Sequence, residues 1–274
     1  ENQNSPSLEK EALLQEDWFY PSIPRLWVPV QLGIFVWGAY VVTYAGLPPG
    51  QWIAFVLSIS ILGGAGIVVA HELGHQRNVL EQTLAKLLLA SVGYIHFVIE
   101  HNRSHHSRVA TPEDPASAPM GISYYQFWPR TVVGSWRSSW RIEAESLVRK
   151  GFPAFSVRNQ MLWFSLLPLL IMGGLWGAFG VLAVGYYLLQ SFMAFSFLEA
   201  INYIQHYGLQ RKELTPGQYE PVSPRHSWET NHRLSNLYLL QLGRHADHHL
   251  HPARRYPILR HCEDSPQLPF GYPT

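Results

Sequence analysis

The sequence predicts an all-α integral membrane protein in which transmembrane helical hairpins carry a histidine-rich cytoplasmic cap. Three observations lead to it. Leu26–Ala70 and Asn159–Leu198 contain no Asp, Glu, Lys or Arg, and each is about twice the ~20 residues a helix needs to cross a bilayer. Glycines interrupt each stretch near its middle, joined by prolines in the first, so each reads as a hairpin. Histidines cluster just beyond the stretches, in HELGH (His71–His75), EHNRSHH (Glu100–His106), NYIQH ending at His206, and RHADHH (Arg244–His249).

Composition permits this class and argues against others. With 20 Lys+Arg against 19 Asp+Glu, the net charge of +1 gives no basic field for nucleic acid. Mean hydropathy is only −0.03 because the charged remainder offsets the apolar spans. Cys262 is the single cysteine, which excludes an internal disulfide and a cysteine-based zinc or iron–sulfur centre and suits a cytosol-facing site. Glu1–Lys10 lacks the charged-then-apolar order of a signal peptide, and the absence of an initiator Met suggests a trimmed or processed N-terminus.

In chain order, Glu1–Arg25 is expected to approach the bilayer from the cytoplasm, its first ten residues as a partly ordered tail. Spans are expected at about 26–45 and 52–70, turning at Gly46-Leu-Pro-Pro-Gly50. Gly63, Gly64 and Gly66 in the second span permit close helix approach. Residues 84–99 are apolar but short, which predicts an interfacial or re-entrant helix. Two further spans, about 161–176 and 179–198, join around Gly173, Gly174, Gly177 and Gly180. The remainder, 100–158 and 202–274, forms the cap of a single domain covering 1–274. The basic residues from Arg103 to Arg158 contrast with hairpin turns that carry none, so the positive-inside rule puts the cap in the cytoplasm.

The clusters point to metal. In an α-helix positions i and i+4 share a face, so His101 and His105 should point the same way with His106 beside them. His71 and His75, and His245, His248 and His249, have the same helical spacing, and His206 follows a span at the same level. These nine imidazoles exceed what one mononuclear ion takes, so two ions are the economical reading. His96 is left as a buried or supporting group, and His226, His232, His251 and His261 as non-ligands. Neutral ligands leave cation charge uncompensated, which makes Glu72, Glu100, Glu199, Asn202 and Asp247 candidate outer partners. HELGH alone matches the HExxH zinc-protease pattern, but that chemistry leaves most of the imidazoles without a task. Imidazole by itself does not choose among iron, zinc, copper and nickel.

With Thr111-Pro-Glu-Asp-Pro-Ala-Ser117, Asn202-Tyr-Ile-Gln-His-Tyr-Gly-Leu209 and His251-Pro-Ala-Arg-Arg-Tyr256, the four clusters closely resemble the AlkB-type alkane 1-monooxygenases of the membrane fatty-acid desaturase and hydroxylase superfamily. The resemblance covers nearly the whole chain. It implies two non-haem irons, O2 as co-substrate, and rubredoxin with its reductase as electron donor. It further implies terminal hydroxylation of medium-chain alkanes drawn from membrane lipid, in a bacterial inner membrane with the catalytic face cytoplasmic. His71, His75, His101, His105, His106, His206, His245, His248 and His249 would be the iron ligands. The chain departs from the family at Gln76, usually Lys, and Gln205, usually Glu, and lacks a further pair of N-terminal helices and an apolar segment after Tyr272. An apolar channel is expected one or two turns below the ligands, with Ser60, Gly63, Gly64, Ile67, Phe192, Phe195 and Leu198 as candidate walls. Lys86, Arg103, Arg108, Arg254 and Arg255 are candidate contacts for an acidic electron donor. A desaturase of the same superfamily and a non-enzymatic metal carrier remain as alternatives.

Overall fold

A computed structural model describes residues 5–272; residues 1–4 of the expected approach segment and the two residues after Tyr272 lie outside it. Helix α1 (Leu8–Glu16) is capped by the Ser7 hydroxyl and precedes α2 (Phe19–Tyr44) and α3 (Pro49–Gly74). Next come α4 (Val79–Ser91), α5 (Phe97–Glu100), a π-helical turn (His101–His105) and α6 (His106–Arg108). Then follow α7 (Tyr124–Arg149), α8 (Gln160–Phe179) and α9 (Val181–His206). A small antiparallel ribbon, β1 (Glu213–Thr215) with β2 (Gln218–Tyr219), leads to α10 (Arg233–Tyr238) and α11 (His245–Leu250).

α2, α3, α8 and α9 are long and apolar enough to cross a membrane. Both hairpin turns lie at one end, where Tyr44 and Phe179 pack with ring centroids 6.4 Å apart. The histidines gather at the other. The helices outrun the apolar stretches: α2 starts at Phe19 rather than near 26, and α9 runs to His206 rather than to 198. Tertiary partners make the overrun possible, because Arg25 is met by Glu81 at 2.7 Å and Glu199 by the Tyr94 hydroxyl at 2.8 Å. Of the glycines expected to join the second hairpin, only Gly180, at φ 85°, breaks the helix; Gly173, Gly174 and Gly177 lie inside α8.

One other expectation needs correction. The helix expected over 84–99 is two pieces, since α4 ends at Ser91 and Gly93 takes φ 64° before the chain re-enters helix at Phe97. Within the cap stretch 100–158 lies α7, a 26-residue helix opened by a Ser123/Gln126 capping box. Between Phe127 and Leu147 its buried face is polar, with Thr131, Ser135, Ser138, Ser139 and Glu143, so the middle of the helix has no apolar inner stripe.

Small residues set the helix crossings. A Cβ at Gly63 would stand 3.2 Å from that of Ala194, which brings α3 against α9. Gly66 faces the buried Gln31 amide, which accepts from Trp27 Nε1 at 2.8 Å and donates to Ser91 Oγ at 3.0 Å. A Cβ at Gly66 would fall 1.7 Å from Gln31 Oε1, so the amide would have to leave both partners. Gly66→Ala is therefore expected to destabilise the protein by about 1–3 kcal/mol. Gly33→Ala, on the same bundle with nothing within 4 Å, should change stability little; thermal unfolding in detergent reads both.

Candidate metal centre

Five elements bring the histidines together. His71 is in the last turn of α3 and His75 caps its C-terminus. His101 and His105 bound the π turn, His106 opens α6, His206 closes α9, and α11 carries His245, His248 and His249. The nine rings form two adjoining groups, His71, His75, His101, His106 and His248 in one and His105, His206, His245 and His249 in the other. Within each group one nitrogen per ring lies within 4.8 Å of all the others.

The grouping departs from α-helical expectation at two places. In the π turn residue i+5, not i+4, returns over residue i. His101 and His106 thus face one another at 3.1 Å between Nε2 atoms, while His105 passes to the second group. His101 and His105 remain stacked with centroids 5.0 Å apart, so this turn is the seam between the groups. α11 is a second seam: His245 and His249 approach to 3.0 Å in one group, and His248 between them joins the other.

The nitrogens suit a cation. Nε2 pairs stand 3.2 Å apart for His75 and His106 and 3.1 Å for His206 and His245. Neighbouring nitrogens on one ion, each about 2.0–2.1 Å from it, would be separated by roughly 3 Å. Nε2 of His71, His105 and His248 is buried with no hydrogen-bond partner. Burial, reinforced by neighbouring imidazoles, holds His101, His106, His245, His248 and His249 well below the usual histidine value, which leaves lone pairs free at neutral pH. An unshared cluster of buried polar nitrogens is costly, and shared cations would offset that cost.

Sequence reading missed the carboxylate that touches this cluster. Asp114, in the quoted Thr111–Ser117 motif, meets His105 Nδ1 at 2.9 Å and is itself held by Ser117 Oγ at 2.6 Å. Burial opposes ionisation of both partners, but their mutual attraction wins, raising His105 and lowering Asp114. With Nδ1 so engaged, His105 turns Nε2 into its group. His206 Nδ1 similarly faces the His226 carbonyl at 3.4 Å. The position of Asp114 between Pro112 and Pro115, three residues from Thr111 and from Ser117, was the available signal, although nothing in the letters tied it to His105.

The expected outer partners are buried nearby, engaged elsewhere. Glu72 is met by Gln76 Nε2 at 3.4 Å. Glu199 accepts from Tyr94, Thr131 and Asn202, and Asp247 pairs with Arg254. Glu100 is pushed up to about 8 by burial, with the Asp114 charge adding to it. His96 meets Tyr94 edge to face, with ring centroids 4.5 Å apart, outside both groups. His226 and His261 pair with Glu220 and Glu229, and neither they, His232 nor His251 joins the clusters.

Below the rings, Ser60, Ile67 and Leu198 are buried in the packed bundle, Gly63 and Gly64 lie at the α3–α9 crossing, and Phe192 is exposed. Phe195 stacks on Tyr94 at 4.9 Å. A cavity of about 10 Å³ abuts His71 and His248, walled by Val68, Leu239, Leu240, Leu242 and Leu259 together with Glu72. Arg103, Arg108, Arg254 and Arg255 all form ion pairs within the chain.

Four spanning helices topped by a buried cluster of nitrogen ligands define a membrane metalloprotein. The fatty acid desaturase family model matches residues 46–274. Alkane 1-monooxygenase 2 of Pseudomonas aeruginosa is 42% identical over 94% of this chain and 69% of its own. Alkane 1-monooxygenase of Acinetobacter baylyi is 39% identical over 98% of this chain and 66% of its own. A xylene/toluene monooxygenase hydroxylase component from Pseudomonas putida is 32% identical over 81% and 59%. The chain belongs to the fatty acid desaturase family and is an enzyme of the alkane 1-monooxygenase type. It spans about two thirds of the length of these monooxygenases.

Replacing Asp114 by Ala should weaken metal retention by about 10–100-fold, read as metal content after dialysis against a chelator. Glu113→Gln, one residue away on an exposed side chain, should leave retention unchanged.

Proposed function

We propose that the protein catalyses O2-dependent terminal hydroxylation of medium-chain alkanes to 1-alkanols at two non-haem irons, with electrons from rubredoxin and its reductase. The observation that carries this reading is the division of nine imidazoles, six of them buried and three half-buried, into two touching groups at one end of an apolar four-helix bundle. His71, His75, His101, His106 and His248 would hold one iron, and His105, His206, His245 and His249 the other. Bound iron would supply the O2-dependent oxidation chemistry that no side chain here provides.

The chain's own residues supply selection and position. An alkane has no polar group to grip, so only shape and apolar contact can aim its terminal methyl. Val68, Leu239, Leu240 and Leu259 form an apolar wall against His71 and His248. Ser60, Gly63, Gly64, Ile67, Phe192, Phe195 and Leu198 would guide the chain from the lipid, where alkanes partition. Glu72, Glu100, Glu199, Asn202 and Asp247 would set the charge and rigidity around the ligand helices. Residues 1–274 act as one domain in the bacterial inner membrane with the clusters facing the cytoplasm, a reading supported by the basic residues from Arg103 to Arg158 at the histidine end. Rubredoxin would dock on that face among Lys86, Arg103, Arg108, Arg254 and Arg255.

Metal analysis together with octane, O2 and reduced rubredoxin tests the reading. Two irons per chain and 1-octanol are expected. Octene as product would make the enzyme a desaturase, and one zinc with proteolysis abolished by Glu72→Gln would make it a protease. His101→Ala should abolish turnover and lower bound iron, while His251→Ala should leave both nearly intact; equal losses would refute the division of histidines.

A further inference from the structure

Away from the histidines, the structure concentrates charge along α7. Arg130, Arg137 and Arg141 are seven and four residues apart and so share one stripe of the helix. The loop Pro112–Pro115 lies beside this stripe because Gly134 lets it: a Cβ there would come 2.7 Å from that of Pro115. Helix and loop enclose a groove of about 360 Å³ that also takes in Ser138.

The groove is cationic and has an unspent donor. Arg130 reaches only the Asp114 carbonyl, at 3.4 Å, and among the described residues Arg137 and Arg141 form no ion pair. Glu113, the one carboxylate in the wall, pairs with Arg108 at 3.4 Å. Ser138 is only 7% exposed, yet its hydroxyl has no hydrogen-bond partner. Planar guanidinium forks match phosphate oxygens, and a hydroxyl can donate to a further one.

The surroundings say what carries the phosphate. By helical spacing Val133 and Trp136 flank the stripe on the side away from the loop, and both are exposed, at 44% and 45%. Trp140 continues this flank to Trp136 and Phe155 at ring separations of 6.0 and 5.9 Å. Phe155 and Val157 are exposed, and Trp163 in the first turn of α8 donates to the Val157 carbonyl at 2.8 Å. This aromatic run leads from α7 to the first turn of α8, at the histidine end of the spans. Tryptophan and arginine side by side at the ends of membrane helices mark the headgroup layer. We propose that this groove binds the phosphate of an anionic phospholipid, with α7 lying in the membrane interface and the acyl chains over its apolar flank.

The proposal is independent of the oxidation chemistry, and lipid binding to the purified full chain in detergent tests it. Phosphatidylglycerol should bind at least tenfold more tightly than phosphatidylcholine, as read by native mass spectrometry and by thermal shift. The double variant Arg137→Ala/Arg141→Ala should lose roughly thirtyfold in that affinity, at about 1 kcal/mol per basic residue. Arg137→Gln alone should lose part of it and serves if the double variant fails to fold. Arg149→Ala/Lys150→Ala removes charge from the same helix outside the groove and should have no effect. Equal losses in the two double variants would reduce the site to diffuse attraction and overturn the proposal. So would inorganic phosphate giving the full thermal shift, or Arg137→Ala/Arg141→Ala keeping lipid affinity while raising the KM for rubredoxin, which would make the groove a protein dock.

Discussion

Nine imidazoles must be kept dry and within touching distance, and most of the architecture follows from that demand. Neutral rings tolerate burial far better than carboxylates do, so a site built from them can sit at the edge of an apolar bundle. Helices α3 and α9 extend beyond their apolar stretches to deliver His71, His75 and His206. The segment after α9 folds back so that α11 closes the cluster from above. Longer helices would be unstable at the surface without partners, and the pairs Arg25–Glu81 and Tyr94–Glu199 provide them.

The π turn is where backbone geometry and ligand assignment meet. An uninterrupted α-helix would have put His101 and His105 on one face and served a single group. One extra residue per turn instead splits them across the seam and pairs His101 with His106. The same economy appears in α11, where adjacent His248 and His249 face different groups. Two short segments thus supply six of the nine rings and set how closely the groups adjoin.

The spans and the identity of the clustered histidines were legible because each follows from local rules, charge-free length for the first and recurrence of an uncommon residue for the second. What was hidden was long-range or non-α. Glycine spacing does not show which glycine will turn, and only Gly180 adopts the left-handed backbone that ends α8. Helix α7 hid because the middle of its inner face is polar, with Thr131, Ser135, Ser138 and Ser139 between Phe127 and Leu147. Asp114 hid because it stands nine positions after His105 and only the folded loop brings them together. Periodicity reports one element at a time, whereas this site is made between elements.

The two groups are chemically unequal. The His105, His206, His245 and His249 group has one imidazole backed by an ionised carboxylate, and another whose Nδ1 faces a main-chain carbonyl. Both contacts make the opposite nitrogen a stronger donor. The five-ring group has an additional imidazole and abuts a small cavity that Glu72 also lines, with Gln76 hydrogen-bonded to Glu72. More neutral donors at one position and more basic donors at the other are two different ways of stabilising positive charge. That difference between the groups rests on Asp114 and on the Thr111–Ser117 loop, which Ser117 Oγ ties to the carboxylate and so holds against His105.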